Sequence, residues 1–381
     1  MSAHTPEPSR DAEPPHRAAP LWIPFPNAAE LFDLSDFERA ARQQLTEMAW
    51  NYIAGGAADE LSLRWNVEAY HRIRLCPRAL VDVSSLDTTV MLLGRTHPSP
   101  IILAPVAYQQ LFHPEGEVAA ARGAAAAGST FVVSTSATKS VEQVAAGSTG
   151  PRWFQLYVQR DRGFTAELVH RAEAAGCEAL VLTIDSPLLG PRYRELRTHF
   201  ALPPGITRAH QTGLAATGSH RPSETNIYSA ILDPKVTWKD IDWLVSLTRL
   251  PVLLKGLLNP EDADRAAHTG AAAVIVSNHG GRNLDTVPAT IDVLPEIVAR
   301  LRGRKPVLVD GGIRRGTDIL KAIALGATAV MVGRPYVYGL AVQGAEGVAR
   351  VVTILRRELE MALALAGRRS LKELDASVIW Q

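Results

Sequence analysis

The sequence is poor in the features that would mark most specialised protein classes. Two cysteines, Cys76 and Cys177, stand far apart in 381 residues, with no CxxC and no Cys/His cluster. That argues against a disulfide framework and a zinc site, leaves metal ligation without candidates, and fits a reducing, cytoplasmic setting. No stretch reaches the ~20 uninterrupted apolar residues that a bilayer-spanning helix requires. Nor does one sign of charge dominate: 40 Lys and Arg face 39 Asp and Glu, a formal net charge of +1. This balance gives no general attraction to nucleic acid or to an anionic membrane, so a partner must be recruited by a local site. No GxGxxG follows the first strand candidate, which removes the usual dinucleotide fingerprint.

What is present is an ordinary globular composition, 46% apolar and 21% charged, in a chain that one barrel-sized domain can absorb. Residues 1–27 are rich in Pro and charge and lack an apolar run of signal-peptide length, so they read as a disordered tail before a single domain over 28–381. From about residue 99, short β-branched runs alternate with helical periodicity. The strand candidates are 99–107, 129–137, 152–158, 179–185, 251–256, 272–278, 306–312 and 329–335. Between them lie amphipathic or Ala-rich stretches such as "TAELVHRAEAAG" and "RRGTDILKAIALG", each ending in a glycine suited to a helix C-cap. Eight near-continuous apolar strands separated by helices predict a parallel sheet closed into a (β/α)₈ barrel, with an open doubly wound sheet as the alternative. Residues 28–98 are expected to supply helices and a short capping hairpin. The connection over 186–236 is far longer than an ordinary βα loop, and its Gly/Ser/Pro-rich middle reads as an active-site flap or a partly disordered insertion.

A barrel of this kind carries its active site at the C-terminal ends of the strands. Polar residues recur there: Ser134 and Thr135, Gln155 and Tyr157, Thr183 and Asp185, Lys255, His279 and Arg282, Asp310 and Arg314, and Arg334. An isolated buried Gln or Thr is usually a satisfied core group, but polarity repeating at one level around the ring points to a site. In "VIVSNHGGRNLD" a buried strand releases His279, two glycines and Arg282 in quick succession, and paired glycines permit close backbone approach. "DGGIRRG" and "GRP", after the seventh and eighth strands, place glycine-rich N–H groups beside Arg314 and Arg334, where barrels commonly bind phosphate. Lys255 in mid-ring is costly to bury unless it meets an anion, which the N1/O2 edge of a reduced flavin would supply. The combination suits flavin mononucleotide (FMN).

These residues resemble the FMN-dependent 2-hydroxy acid oxidases and dehydrogenases, a family that includes glycolate, lactate and 4-hydroxymandelate oxidases and mandelate dehydrogenase. "SNHGGRNLD" is similar to the segment around the family's catalytic histidine, and the similarity runs from about Asp33 to "GRRSLKEL" near the C-terminus. The resemblance implies that His279 is the base and Asp185 its carboxylate partner. It implies that Tyr52, Tyr157, Arg192 and Arg282 bind or approach the substrate. For FMN it implies backbone at Pro105, Val106 and Ala107, side chains of Ser134, Gln155, Thr183, Lys255 and Ser277, and a phosphate end of Asp310, Gly311, Gly312, Arg314, Gly333 and Arg334. It further implies a homotetramer.

Those roles agree with the side-chain chemistry. The planar fork of Arg282 can hold a carboxylate bidentately. His279 has the intrinsic pKa to accept a proton near neutrality, from the hydroxyl or from Cα, and Asp185 would stabilise the imidazolium. Three positions depart from the glycolate-oxidase pattern: Ser136 stands for a bulky aromatic, Tyr108 for Met or Phe, and Pro191 for Arg. The first change enlarges the pocket and predicts an (S)-2-hydroxy acid larger than glycolate, mandelate-like or of medium chain length. "APVAY" and "IAGGA" look closest to the 4-hydroxymandelate oxidases. The polar insertion disfavours a membrane quinone as electron acceptor, and the short N-terminal tail leaves no room for a haem domain. Molecular oxygen, yielding hydrogen peroxide, is therefore expected, with another acceptor as the alternative. A different FMN- or phosphate-binding barrel would not need the His279/Arg282 pair beside Tyr52, Tyr157 and Arg192. A flavin-binding subunit without catalysis would not need every catalytic residue type.

Overall fold

Eight parallel strands close on themselves in a computed structural model that describes residues 30–211, 227–229 and 231–380. The tail expected over 1–27 and the middle of the expected flap, 212–226, lie outside the described residues. A short antiparallel hairpin, β1 (Val90–Leu92) and β2 (Arg95–His97), precedes the barrel. The barrel strands are β3 (Ile101–Leu103), β4 (Thr130–Ser134), β5 (Arg152–Leu156), β6 (Leu180–Thr183), β7 (Val252–Leu257), β8 (Ala273–Val276), β9 (Val307–Asp310) and β10 (Ala329–Val332). Strand β10 pairs with both β9 and β3, so the ring is closed and the doubly wound alternative fails. Seven of the strands leave the ladder two to four residues before their sequence-predicted ends. The composition stays strand-like there, but those residues turn away to build the loops at the barrel mouth.

Three helices lead into the barrel: α1 (Leu34–Gln44), α2 (Glu47–Ala54) and α3 (Leu61–Arg72). Helix α1 starts at a capping box in which Asp33 accepts from the Asp36 N–H and Asp36 reaches back to the Asp33 N–H. The helices between strands are α4 (Gly116–Ala126), α5 (Val141–Gly147), α6 (Arg162–Ala174), α7 (Tyr193–Arg197), which lies within the insertion, and α8 (Trp238–Ser246), which follows it. They continue with α9 (Pro260–Ala267), α10 (Thr290–Leu301) and α11 (Gly316–Ala324). The chain closes with α12 (Arg334–Leu365), which breaks where Gln343 and Gly344 leave helical geometry.

The strand period of two sorts the barrel into an inside and an outside. Ile102, Val132, Trp153, Val181, Leu253, Ile275, Leu308 and Met331, one from each strand, form an inner apolar cluster. Their chain neighbours, such as Leu103, Val133, Phe154, Leu182, Leu254 and Val309, join the outer core under the helices. Leu92 of the hairpin also joins the inner cluster, and His97 lies 3.4 Å from the Thr130 hydroxyl at the start of β4, so the hairpin plugs the N-terminal end. Two residues beyond each inner apolar side chain stand Ala104, Ser134, Gln155, Thr183, Lys255, Ser277, Asp310 and Gly333. The polar ring is therefore one pleat above an apolar layer.

Strand β7 carries a register shift between Lys255 and Leu257, centred on Gly256 at φ +116°. A Cβ there would stand 2.6 Å from Cβ of Asp185, so glycine is required both by its dihedral angle and by the close approach of β6's continuation. Gly303 has φ +73° but open space around it, which separates the two effects. Gly303→Ala is expected to cost about 1–2 kcal/mol from the dihedral alone. Gly256→Ala is expected to cost roughly 3 kcal/mol or more, because steric overlap adds to it. Urea denaturation of both variants checks the difference.

Candidate active site

The loop after β8 is fixed by side chains rather than by sheet pairing. His279, Gly280 and Gly281 follow one another at φ +58°, +64° and +72°, a tight left-handed turn. For the non-glycine His279 this conformation is held by its surroundings. Asn278 exchanges two amide hydrogen bonds of 2.8 Å with Asn66 of α3 and accepts from the Gly281 N–H. At the loop's far end Asp285 accepts from the N–H groups of Asp59, Leu61 and Ser62 at 3.1, 3.2 and 2.8 Å, capping α3. The pre-barrel helices thus hold the His loop at both ends.

Within this frame His279 Nδ1 lies 2.9 Å from Asp185 Oδ1. Asn283 donates to the backbone carbonyl and Oδ1 of Asp185, and the Ser186 hydroxyl donates to the same carboxylate oxygen. An ionised carboxylate accepts only, so Nδ1 carries the proton and Nε2 presents its lone pair. Nε2 faces the Tyr157 hydroxyl at 3.5 Å. Burial pushes the imidazole below its ordinary pKa, against the opposing pull of Asp185. Burial works against the Asp185 charge, yet the adjoining His279 and Lys255 outweigh it and hold the carboxyl below its usual range. Near neutral pH the dyad is imidazole and carboxylate. Burial raises the hydroxyls of Tyr52 and Tyr157, which stay neutral.

Two arginines meet the C-terminal end of α2, where the last carbonyls of a helix lack intrahelical partners. Arg282 Nη1 donates to the carbonyls of Tyr52 and Gly55 at 2.6 and 3.0 Å, and Nη2 donates to Glu195 at 3.0 Å. Among the described residues this leaves one N–H on Nε and one on Nη2, the number that a bidentate carboxylate takes. Arg192 Nε donates to the Arg282 carbonyl, and its Nη1 lies 3.5 Å from Glu195. The Tyr52 ring sits under Arg282, with 4.9 Å from Cζ to the centroid, and stacks on Phe200 at 4.8 Å and near Tyr108 at 5.5 Å.

Deeper in the barrel, Lys255 Nζ donates to Ser277 Oγ at 2.8 Å and lies 3.0 Å from Asp310 Oδ2. The Gln155 amide donates to Thr183 and accepts from Ser134 and from the Thr135 N–H. Asp310 Oδ1 is buried and has no partner among the described residues. Lys255, Asp310, Gln155, Thr183 and Ser134 border one cleft that opens at the barrel mouth.

Nearly every sequence-nominated residue lines this cleft: Tyr52, Pro105, Val106, Ala107, Ser134, Gln155, Tyr157, Thr183, Arg192, Lys255, His279, Arg282, Asp310, Gly311, Gly312, Arg314, Gly333 and Arg334. Three do not. Asp185 stands behind His279, Thr135 is fully buried with its hydroxyl donating to the Gln155 carbonyl, and Ser277 is fully buried with its hydroxyl accepting from Lys255 and the His279 N–H. Arg334 lines the cleft, and its Nε, Nη1 and Nη2 each donate one hydrogen bond, to the carbonyls of Ile53, Gly280 and Gly55, which leaves one N–H on each terminal nitrogen among the described residues. At the expected phosphate end it stands with the glycine N–H groups and Arg314, whose guanidinium has one hydrogen bond among the described residues, to Ile313 O. Sequence reasoning missed Ser186, Asn283, Glu195 and Phe200 as parts of the site, and Leu189 and Leu232 as wall. Asn283 lay within the quoted motif. Glu195 and Phe200 gave no signal, because only the packing of the insertion brings them there.

Comparison with known proteins agrees with this geometry. A family model described as FMN-dependent dehydrogenase matches residues 41–381. The chain is 48% identical over 355 residues to an L-lactate oxidase of Nostoc sp., covering 91% of this chain and 97% of that protein. It is 46% identical over 353 residues to a glycolate oxidase of Spinacia oleracea, covering 92% and 96%. Among solved structures, a mandelate oxidase with (S)-4-hydroxymandelic acid superposes with a TM-score of 0.85 at 44% identity, covering 92% of this chain and 98% of that one.

The dyad has a pH consequence. His279 binds its proton less readily folded than unfolded, so its share of stability is present above the unfolded value of 6.5 and is lost as pH falls below it. The insertion's His210, pushed down to about 4 by burial while it accepts from the Val141 N–H, acts with the same sign. It is expected to contribute about 3 kcal/mol that disappears between pH 6.5 and 4. Histidine NMR titration, with His279 assigned through His279→Gln, is expected to show an inflection below 6.5 that falls further in Asp185→Asn, where the charge that raises it is gone.

Proposed function

The chain belongs to the FMN-dependent dehydrogenase family and is an FMN-dependent 2-hydroxy acid oxidase; from that premise we propose that it converts an (S)-2-hydroxy acid larger than glycolate to the 2-oxo acid, with O₂ as acceptor and hydrogen peroxide as product. The observation that carries the reading is the meeting, in one cleft, of a neutral buried imidazole with its Nε2 lone pair exposed and a guanidinium with two N–H groups uncommitted.

The residues present fit FMN. The partnerless Asp310 Oδ1 can accept from a hydroxyl of the cofactor, Lys255 supplies a cation in mid-barrel, and Gln155, Thr183 and the 105–107 backbone add polar contacts. Gly311, Gly312, Gly333, Arg314 and Arg334 supply donors for a phosphate, and Arg334 also fixes the end of α2. Bound FMN supplies the two-electron acceptor that no protein side chain here provides.

The protein's own part is to bind, orient and move a proton. Arg282, with Arg192 beside it, takes the substrate carboxylate. His279 Nε2 takes the proton released on oxidation, and Asp185 stabilises the resulting imidazolium in place, without reorganisation. Tyr157, neutral and 3.5 Å from Nε2, is positioned to share the substrate hydroxyl. Around the substrate's side chain the wall is Tyr108, Ser136, Leu189 and Leu232, aromatic and aliphatic except for the small serine. That wall supports a mandelate-like or medium-chain substrate. For the acceptor, the similar proteins carry oxidase names, and no helix among the described residues is long and apolar enough to cross a membrane.

Anaerobic mixing of the holoenzyme with (S)- and (R)-mandelate, (S)-lactate and glycolate tests the reading through bleaching of the flavin. (S)-Mandelate is expected to exceed glycolate in kcat/KM by ~10-fold or more, since a ring or a few methylenes contribute about 1–3 kcal/mol each. Glycolate as best substrate, or faster reduction by (R)-mandelate, would overturn it. In air, one peroxide per 2-oxo acid is expected, whereas turnover with an artificial dye but not with O₂ would indicate another acceptor.

His279→Ala is expected to retain FMN and lose nearly all flavin reduction. Arg282→Lys keeps the charge without the fork, so it is expected chiefly to raise KM and lower kcat/KM. Near-normal reduction in the first variant would count against the assigned base.

A further inference from the structure

We propose that Glu195 sets the charge class of the substrate, as a built-in counter-ion that fits the arginine pair to a monocarboxylate and against a dicarboxylate 2-hydroxy acid. The inference rests on the reading of Arg282 and Arg192 as the carboxylate clamp. Glu195 lies on α7, in the insertion, and one oxygen, Oε1, serves both arginines, 3.0 Å from Arg282 Nη2 and 3.5 Å from Arg192 Nη1. All three side chains are well enclosed, the glutamate 10% exposed and each arginine 14%. Both arginines line the cleft and Glu195 does not, so its carboxylate stands behind the clamp and leaves the ligand side open.

The charges decide what the clamp accepts. Among the described residues, two guanidinium groups and one carboxylate leave a single positive charge, which one substrate carboxylate neutralises. A second carboxylate at the far end of the substrate meets Tyr108, Ser136, Leu189 and Leu232, none of them cationic. Arg208 donates to the Tyr108 hydroxyl but does not line the cleft. Lys255 is paired with Asp310, and Arg314 and Arg334 stand at the phosphate end. In an enclosed site Coulomb interactions are weakly screened and scale with ligand charge. Removing the Glu195 charge therefore favours a dianion more than a monoanion, by less than twice as much because the second carboxylate lies farther away. A loss of structure would lower both alike.

The test uses matched five-carbon pairs on the FMN-loaded protein: (S)-2-hydroxyglutarate against (S)-2-hydroxyvalerate as substrates, and glutarate against valerate as unreactive ligands read by perturbation of the flavin spectrum. The wild type is expected to prefer the monoanion by ~10-fold or more in both assays. Glu195→Gln keeps the shape and an acceptor oxygen, and is expected to shift the dianion-to-monoanion ratio by ~10-fold toward the dianion, an effect that added salt reduces. Glu195→Asp keeps the charge and is expected to keep the wild-type ratio. A ratio unchanged in Glu195→Gln, or one changed equally in Glu195→Asp, overturns the proposal. Should Glu195→Gln fail to fold, wild-type binding decides: equal affinity for glutarate and valerate overturns the proposal, and a strong preference for valerate supports it. If no 2-hydroxy acid reduces the wild-type flavin, the proposed function fails while the ligand ratio still tests Glu195.

Discussion

The period of two along a β-strand is the constraint on which the rest of this molecule depends. In every barrel strand an apolar inner residue is followed two positions later by the residue at the mouth, so Leu253 lies below Lys255, Leu308 below Asp310 and Trp153 below Gln155. The floor of the cleft is consequently apolar, and the polar groups on it find partners sideways within the ring. Lys255 does so with Asp310 and Ser277, and Gln155 with Ser134 and Thr183. A one-residue slip in any strand would exchange a site residue for a core residue and lose both.

Buried charge is the cost of such a site, and it is handled by pairing rather than by exposure. Removing one partner of a buried pair typically costs 3–5 kcal/mol, because the other is left unpaired. The same arithmetic explains why the arginines are not isolated. Arg282 and Arg334 fill the orphan carbonyls at the end of α2, which orients both guanidinium groups and ties the pre-barrel segment to the loops after β8 and β10. One set of hydrogen bonds therefore joins the fold to the chemistry: the helix that presents Tyr52 is the helix that aims Arg282.

The catalytic loop shows how rigidity is obtained where backbone pairing has ended. Asn278 on Asn66, Asp285 on the start of α3, and Asn283 on Asp185 replace the ladder with side-chain bonds. They maintain His279 at positive φ, a conformation a free loop would abandon. Gly256 contributes from the neighbouring strand by having no side chain where Asp185 must pass.

The sequence by itself determined the eight strands, their order and the nearly complete set of cleft residues. Strand periodicity and motif position are local properties, and a parallel barrel converts strand ends into a single ring. It was legible, too, that His279, Asp185 and Arg282 belong together, since "SNHGGRNLD" and the end of β6 carry their signals within a few residues. Closure was decided only by β10 pairing with β3, a contact between the two ends of the barrel that no local pattern encodes. The tertiary structure alone decided that Arg334 ties the end of α2 to the His279 loop, that Ser277 is buried beneath the cleft, and that Glu195 and Phe200 reach the site from the insertion. Each depends on which surfaces pack together across long stretches of chain, and a side chain's partner, unlike its period, is not written in its neighbours.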